Sequence, residues 1–159
     1  MAEHRVTVAW EADGNFLTGR YSRAHVWTFD GGASLTASSS PDVVPVPLSD
    51  PAGIDPEEAL IASASSCHML WFLSLAKNAG FDVLRYRDEA SGRMGKDERG
   101  RIAITRIVLR PVISFTGPAP DSVALERLHH EAHERCFIAN SLRSEIVIES
   151  ETRAEKTPA

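Results

Sequence analysis

Apolar and polar residues alternate along positions 5–10 and again along 25–29, the period of a half-buried strand, and Gly31 and Gly32 close the second run. Between them, residues 15–18 read as the exit of a turn. Residues 38–56 hold five of the nine prolines and read as an extended crossing loop. The pattern then changes. ALIASASSCHMLWFLSLA, residues 59–76, carries no formal charge and approaches the length of a bilayer span. Four serines and a histidine interrupt it, and no lysine or arginine cluster flanks it, so the expectation is a central helix buried in a soluble protein or in its dimer. Asp55 suits the N-cap, Pro56 the first helical position, and Glu57 and Glu58 the first turn, where Glu58 completes a capping box. The helix is predicted to run to about Ala79 and to end at Gly80.

Residues 81–90 and 101–115 read as two long strands of a hairpin, joined by a solvated loop SGRMGKDERG. A second helix is predicted over about 121–135, after Pro118 and Pro120, with Leu128, Ala132 and Cys136 on one face. One short turn over 140–143 and a last strand over 145–150 follow, and ETRAEKTPA has little to bury and is expected to be loose. The sum is an α+β fold, with a single domain over 1–150 and a tail over 151–159.

Composition narrows the function. The chain has 159 residues, 43% of them hydrophobic and 25% charged, values ordinary for a soluble domain. A net charge of -5 without a basic run argues against a nucleic-acid partner. Two cysteines do not make a disulfide-stapled secreted scaffold, and MAEHRVTVAWEADG lacks the apolar core of a secretion signal. The expectation is a cytoplasmic protein with no membrane partner.

Neither GxGxxG nor GxxxxGK[ST] is present. LHHEAHERC resembles the HExxH zinc pattern but is one residue short, since His133 follows His130 at i+3, and a solvated helix face is expected for His129, His130 and His133. A zinc site on His129 and His133 stands as a distant alternative. His68 adjoins Cys67 but points about 100° away around the helix. The cysteines then read either as two small buried hydrophobes or as reactive thiols. A reactive thiol needs a cation or a helix N-terminus. Cys67 lies well beyond the first turn of its helix, so a cation must come from elsewhere, and Arg20 and Arg23 in GRYSRAH are the nearest candidates.

DPEEALIASASSCHMLWFLSLAKNAGF and the downstream AHERCFIANSL, together with YSRAHVWTFDGG and SSSP, resemble the OsmC/Ohr family of osmotically inducible and organic-hydroperoxide-resistance proteins. The resemblance spans nearly the whole chain. It implies antiparallel sheets packed around a long central helix in an intertwined homodimer. It also implies a thiol peroxidase without metal or bound organic cofactor. Cys67 would attack an organic hydroperoxide and become a sulfenic acid, Cys136 would condense with it to a disulfide, and a lipoyl-type dithiol would reduce that bond. Glu57 corresponds to the family glutamate, and Arg23, in preference to Arg20, to the family arginine. A guanidinium would stabilise the thiolate and the charge developing on the peroxide, and a carboxylate would hold the guanidinium's fork. Ten residues of helix, about 15 Å, separate Glu57 from Cys67, so the expectation is an active site built by two subunits. Phe137 and Ala139 replace the proline and serine of many members, which favours an alternative: a dimer of the same fold that binds an apolar small molecule or a partner without turning over peroxide.

Overall fold

In the computed structural model, which describes residues 1–13 and 16–153 without the Arg153 side chain, the predicted strand pattern near the start becomes a three-stranded sheet. Strand β1 (Val6–Ala9) pairs antiparallel with β2 (His25–Phe29), and β2 pairs with β3 (Ser34–Ala37). The register puts Val6, Val8, Trp27, Phe29 and Leu35 on one face and threonines on the other, as period-2 alternation requires. Asn15 lies outside the described residues, and Phe16–Thr18 form a single 3₁₀ turn. The proline-rich segment runs without helix or strand, held by the Asp50 N–H donating to Ser38 Oγ (2.9 Å) and by a bridge between Ala37 and Ile54. The chain divides into two compact units, Met1–Ala59 and Leu60–Ala159.

The expected capping box forms. Asp55 Oδ1 accepts the Glu58 N–H (2.7 Å) and Glu58 Oε2 accepts the Asp55 N–H (3.2 Å), opening α1 (Pro56–Asn78). At the other end the Phe81 N–H reaches the Ala76 carbonyl (2.9 Å) and the Gly80 N–H reaches that of Lys77 (3.1 Å), with Gly80 at φ +84°. This is a Schellman cap, and its left-handed residue is the one a side chain would strain. Helix α1 is long and apolar enough to cross a bilayer by length and composition. Its inner stripe, Ala64, His68, Phe72, Leu75 and Ala76, is buried in protein.

Two further sheets complete the second unit. β4 (Val83–Asp88) pairs antiparallel with β7 (Pro111–Phe115), and β7 pairs parallel with β9 (Glu151–Arg153). β5 (Ser91–Lys96) pairs antiparallel with β6 (Ile102–Leu109), and β6 pairs parallel with β8 (Glu145–Ile148). The antiparallel pairing expected between residues 81–90 and 101–115 forms only with the second half of the later run, residues 111–115, and a separate hairpin, β5–β6, is inserted between them. Half of the loop between them is itself a strand, and the turn shrinks to residues 97–100 around Asp97, whose carboxylate accepts from the Arg99 and Arg101 N–H groups (both 2.9 Å). The run 101–115 breaks at Arg110, whose N–H donates to Asp88 Oδ1 (2.6 Å), and the halves join different sheets. β9 likewise occupies the start of the segment expected to be loose, while residues 154–159 lie outside the described ones.

α2 (Ser122–Arg135) is capped by Asp121, which accepts the Ala124 N–H (2.8 Å). The expected turn over 140–143 forms earlier, as α3 (Phe137–Ser141). Phe72, Leu75 and Ala76 of α1 pack with Ile113 and Phe115 of β7 and with Leu125, Leu128 and Ala132 of α2. Ala64, nearer the helix start, packs with Ile107 and Leu109 of β6. Helix α1 thus supplies side chains to both cores of this unit.

Candidate thiol site

Cys67 sits midway along α1, and Cys136 ends α2 and starts α3. Both are free thiols, near enough that Cys67 contributes to the raised pKa of Cys136. Cys67 is half-buried, whereas Cys136 is 1% exposed. Leu128, Ala132 and Cys136 share the buried face read from their spacing. Cys136 Sγ also accepts the Ala139 N–H (3.3 Å), so the sulfur itself caps α3. Burial pushes the Cys136 thiol up to about 11, the Ala139 N–H opposes this, and the neighbouring Cys67 thiol adds to it. Cys136 therefore keeps its proton at neutral pH. Trp71, one turn beyond Cys67, meets Phe137 edge-on at 5.6 Å, and the Arg135 guanidinium lies 5.9 Å from the Trp71 ring centre.

The histidines depart from expectation. His68 and His129 are 1% and 4% exposed, so His129 does not belong to a solvated face. His68 Nε2 and His129 Nδ1 lie 3.0 Å apart, with ring planes 7° from parallel, and His129 stacks on Phe72 at 4.5 Å. Burial lowers both imidazoles to about 4, and His68 also faces those of His129 and His133. Both rings are neutral at physiological pH, and one donates to the other. Among the described residues no group of three or more histidine, cysteine or acidic side chains is arranged to hold a metal. The signal for burial was present in the sequence. His68 continues the stripe Ala64–Phe72–Ala76 and His129 the stripe Leu125–Ala132–Cys136, both at the helix period.

Arg23 and Glu57 lie in the first unit, where both line a concavity of about 450 Å³ with Val8, Trp10, Phe16 and Tyr21. The three aromatic rings form a cluster with centroids 5.0–5.6 Å apart. Arg23 lies 3.8 Å over the Tyr21 ring and donates to the Gly19 and Tyr21 carbonyls. No ion pair joins it to Glu57 among the described residues. Arg20 is exposed and does not line this concavity.

The chain is an α+β protein of small sheets with one free thiol on the long helix α1 and a second at the junction of α2 and α3. The family model described as OsmC-like protein matches residues 49–151, and the chain belongs to that family. It is 49% identical to VCA0330 of Vibrio cholerae O1 biovar eltor str. N16961, described as an OsmC-like protein of unknown function. That match covers 95% of this chain and 100% of the other, with a TM-score of 0.91. The fold is shared, at far lower identity, by two organic hydroperoxide resistance proteins. The one from Elizabethkingia anophelis, solved with crystallant-derived thiocyanate bound, is 17% identical over 98% of both chains, with a TM-score of 0.67. OhrB of Bacillus subtilis is 18% identical over 96% of this chain and 98% of its own, with a TM-score of 0.59. No curated protein matches the chain.

Proposed function

We propose that the protein is a cysteine-based peroxidase that reduces organic hydroperoxides to alcohols. One observation carries the reading: two free thiols near enough to influence one another, one half-buried and one buried and held protonated. The Cys67 thiolate attacks the peroxide O–O bond, and the departing alkoxide takes a proton, giving Cys67 sulfenic acid and an alcohol. The Cys136 thiol then displaces the sulfenic hydroxyl as water and forms the Cys67–Cys136 disulfide. A lipoyl-type dithiol reduces that bond by two successive exchanges and leaves as its own disulfide. Arg23 and Glu57 enter as the cation that favours the thiolate and the acid that orients it. Their place on one concavity supports that pairing. The reading needs neither metal nor bound cofactor, and it puts the protein in the cytoplasm as a homodimer with an active site built by both subunits. The apolar face carrying exposed Val6, Val8 and Leu35 supports a partner copy.

Purified protein should consume an alkyl hydroperoxide with dihydrolipoamide as reductant. Cys67→Ser should abolish turnover, and Cys136→Ser should lose it with over-oxidation of Cys67. Wild-type protein that keeps both thiols free after peroxide treatment would retire the enzyme reading. So would a monomer by light scattering retire the shared active site, if it still turned over peroxide. The aromatic concavity favours one second reading, a dimer that binds an apolar small molecule without chemistry.

A further inference from the structure

We propose that the His68–His129 hydrogen bond is a positioning device for the thiol pair: it fixes how α2 lies on α1 and so sets the approach of the Cys136 sulfur to Cys67. The inference rests on reading the two thiols as a redox pair. His68 is the neighbour of Cys67 on α1, and His129 lies two turns before Cys136 along α2, so the imidazole contact and the approach of the two thiols are set by one pair of backbones.

The core contacts of these helices, Phe72, Leu75 and Ala76 with Leu125, Leu128 and Ala132, are apolar. Apolar burial is non-directional and tolerates small slides, whereas a hydrogen bond at 3.0 Å weakens steeply with distance and angle. The demand for registry is real at the sulfurs. A disulfide forms only with Cβ atoms about 3.5–4.5 Å apart, and a sulfenic acid that waits too long is oxidised further. The pair also carries a cost that needs a reason. Among the described residues His68 Nδ1 and His129 Nε2 are buried without partners, and such groups are destabilising beside the apolar residues that fill the rest of both stripes. A polar pair set into an apolar seam adds specificity of registry where it does not add stability.

The test uses side chains of matched polarity and different reach. In His68→Gln the amide extends to the place of Nε2 and keeps a partner for His129, and in His68→Asn it stops short. Reduced protein is treated with diamide, which joins two thiols as it is itself reduced to the hydrazine, and separately with cumene hydroperoxide. Closure of the Cys67–Cys136 bond is followed by mass spectrometry, and Cys67 alkylation by iodoacetamide reports the attacking thiol alone. His68→Asn should close with diamide roughly tenfold more slowly than wild type at an unchanged alkylation rate. It should also accumulate Cys67 sulfinic acid with the hydroperoxide, while His68→Gln stays within about threefold of wild type. His129→Phe, which keeps the stack on Phe72 without the hydrogen bond, should behave as His68→Asn does. Closure at the wild-type rate in both His68→Asn and His129→Phe overturns the proposal, as does equal slowing in His68→Gln and His68→Asn. Wild-type protein that closes with diamide but ignores the hydroperoxide would sink the peroxidase reading and leave this one standing.

Discussion

Acid should destabilise this fold through two imidazoles. Each has an ordinary pKa of 6.5 and lies at about 4 when folded, because burial disfavours the charged ring. Between those values the unfolded chain binds protons that the folded chain does not, so stability rises with pH across the window and is fully present above about 6.5. Taking pH from 7 to 5 crosses about 1.5 units in which the unfolded rings charge and the folded ones stay neutral. At about 1.4 kcal/mol per unit this costs about 2 kcal/mol for each ring and about 4 kcal/mol for the pair. That is a large part of the 5–15 kcal/mol typical of a folded protein. Urea unfolding at fixed protein concentration, at pH 5 and pH 7, measures the loss directly. The variant His68→Gln/His129→Asn replaces both rings with amides that do not titrate, and its pH 5 to pH 7 difference should be about 4 kcal/mol smaller than that of wild type. Equal pH sensitivity in the two proteins would refute the claim that these rings are buried and neutral.

Three further outcomes follow from the packing. Asp55→Ala removes the acceptor for the Glu58 N–H and should lower stability by about 1 kcal/mol in urea unfolding, and Glu58→Ala should cost less. Gly92→Ala would set a Cβ 2.5 Å from Ile61 Cδ1. It should destabilise by about 1–3 kcal/mol, and Ile61→Ala in the same chain should recover part of the loss in a double-mutant cycle. Phe72→Ala empties the place of a fully buried ring shared by α1, β7 and α2 and should cost about 3–5 kcal/mol in the same measurement.

What could be read from the sequence was local. Asp55, Pro56, Glu58 and Gly80 name the ends of α1 because caps depend on neighbours in the chain, and Pro118 and Pro120 mark where α2 can begin. The strand β5 could not be read, since SGRMGK shows no apolar alternation. Its extended form comes from pairing with β6, and Gly92 is there because Ile61 of α1 lies against it. The parallel partners of β6 and β7 come from far along the chain, where no local pattern points to them. At the thiol site, the helix period placed Cys136 on a buried face, and the resemblance joined it to Cys67. The histidines were misjudged for a physical reason. Three in a row of charged neighbours suggest solvent, yet the 3.6-residue period puts His129 inward and leaves His130 exposed.

The chain passes from one sheet of the second unit to the other four times, and two of these passages are short and adjacent. Those two are Arg110, between β6 and β7, and Glu149 and Ser150, between β8 and β9. The crossings lie side by side: Arg110 Nε donates to Glu149 Oε2 (3.1 Å), and the Glu149 N–H donates to the Leu109 carbonyl (2.8 Å). Both sheets are thus finished by the same late stretch, whose side chains meet their partners 39 residues back. During synthesis β6 and β7 must wait on the ribosome with open edges until that stretch emerges, and both are sealed in one event. A nascent chain stalled before residue 145 would expose two unpaired edges at once, and pausing there should make the protein a client of chaperones that bind extended apolar segments.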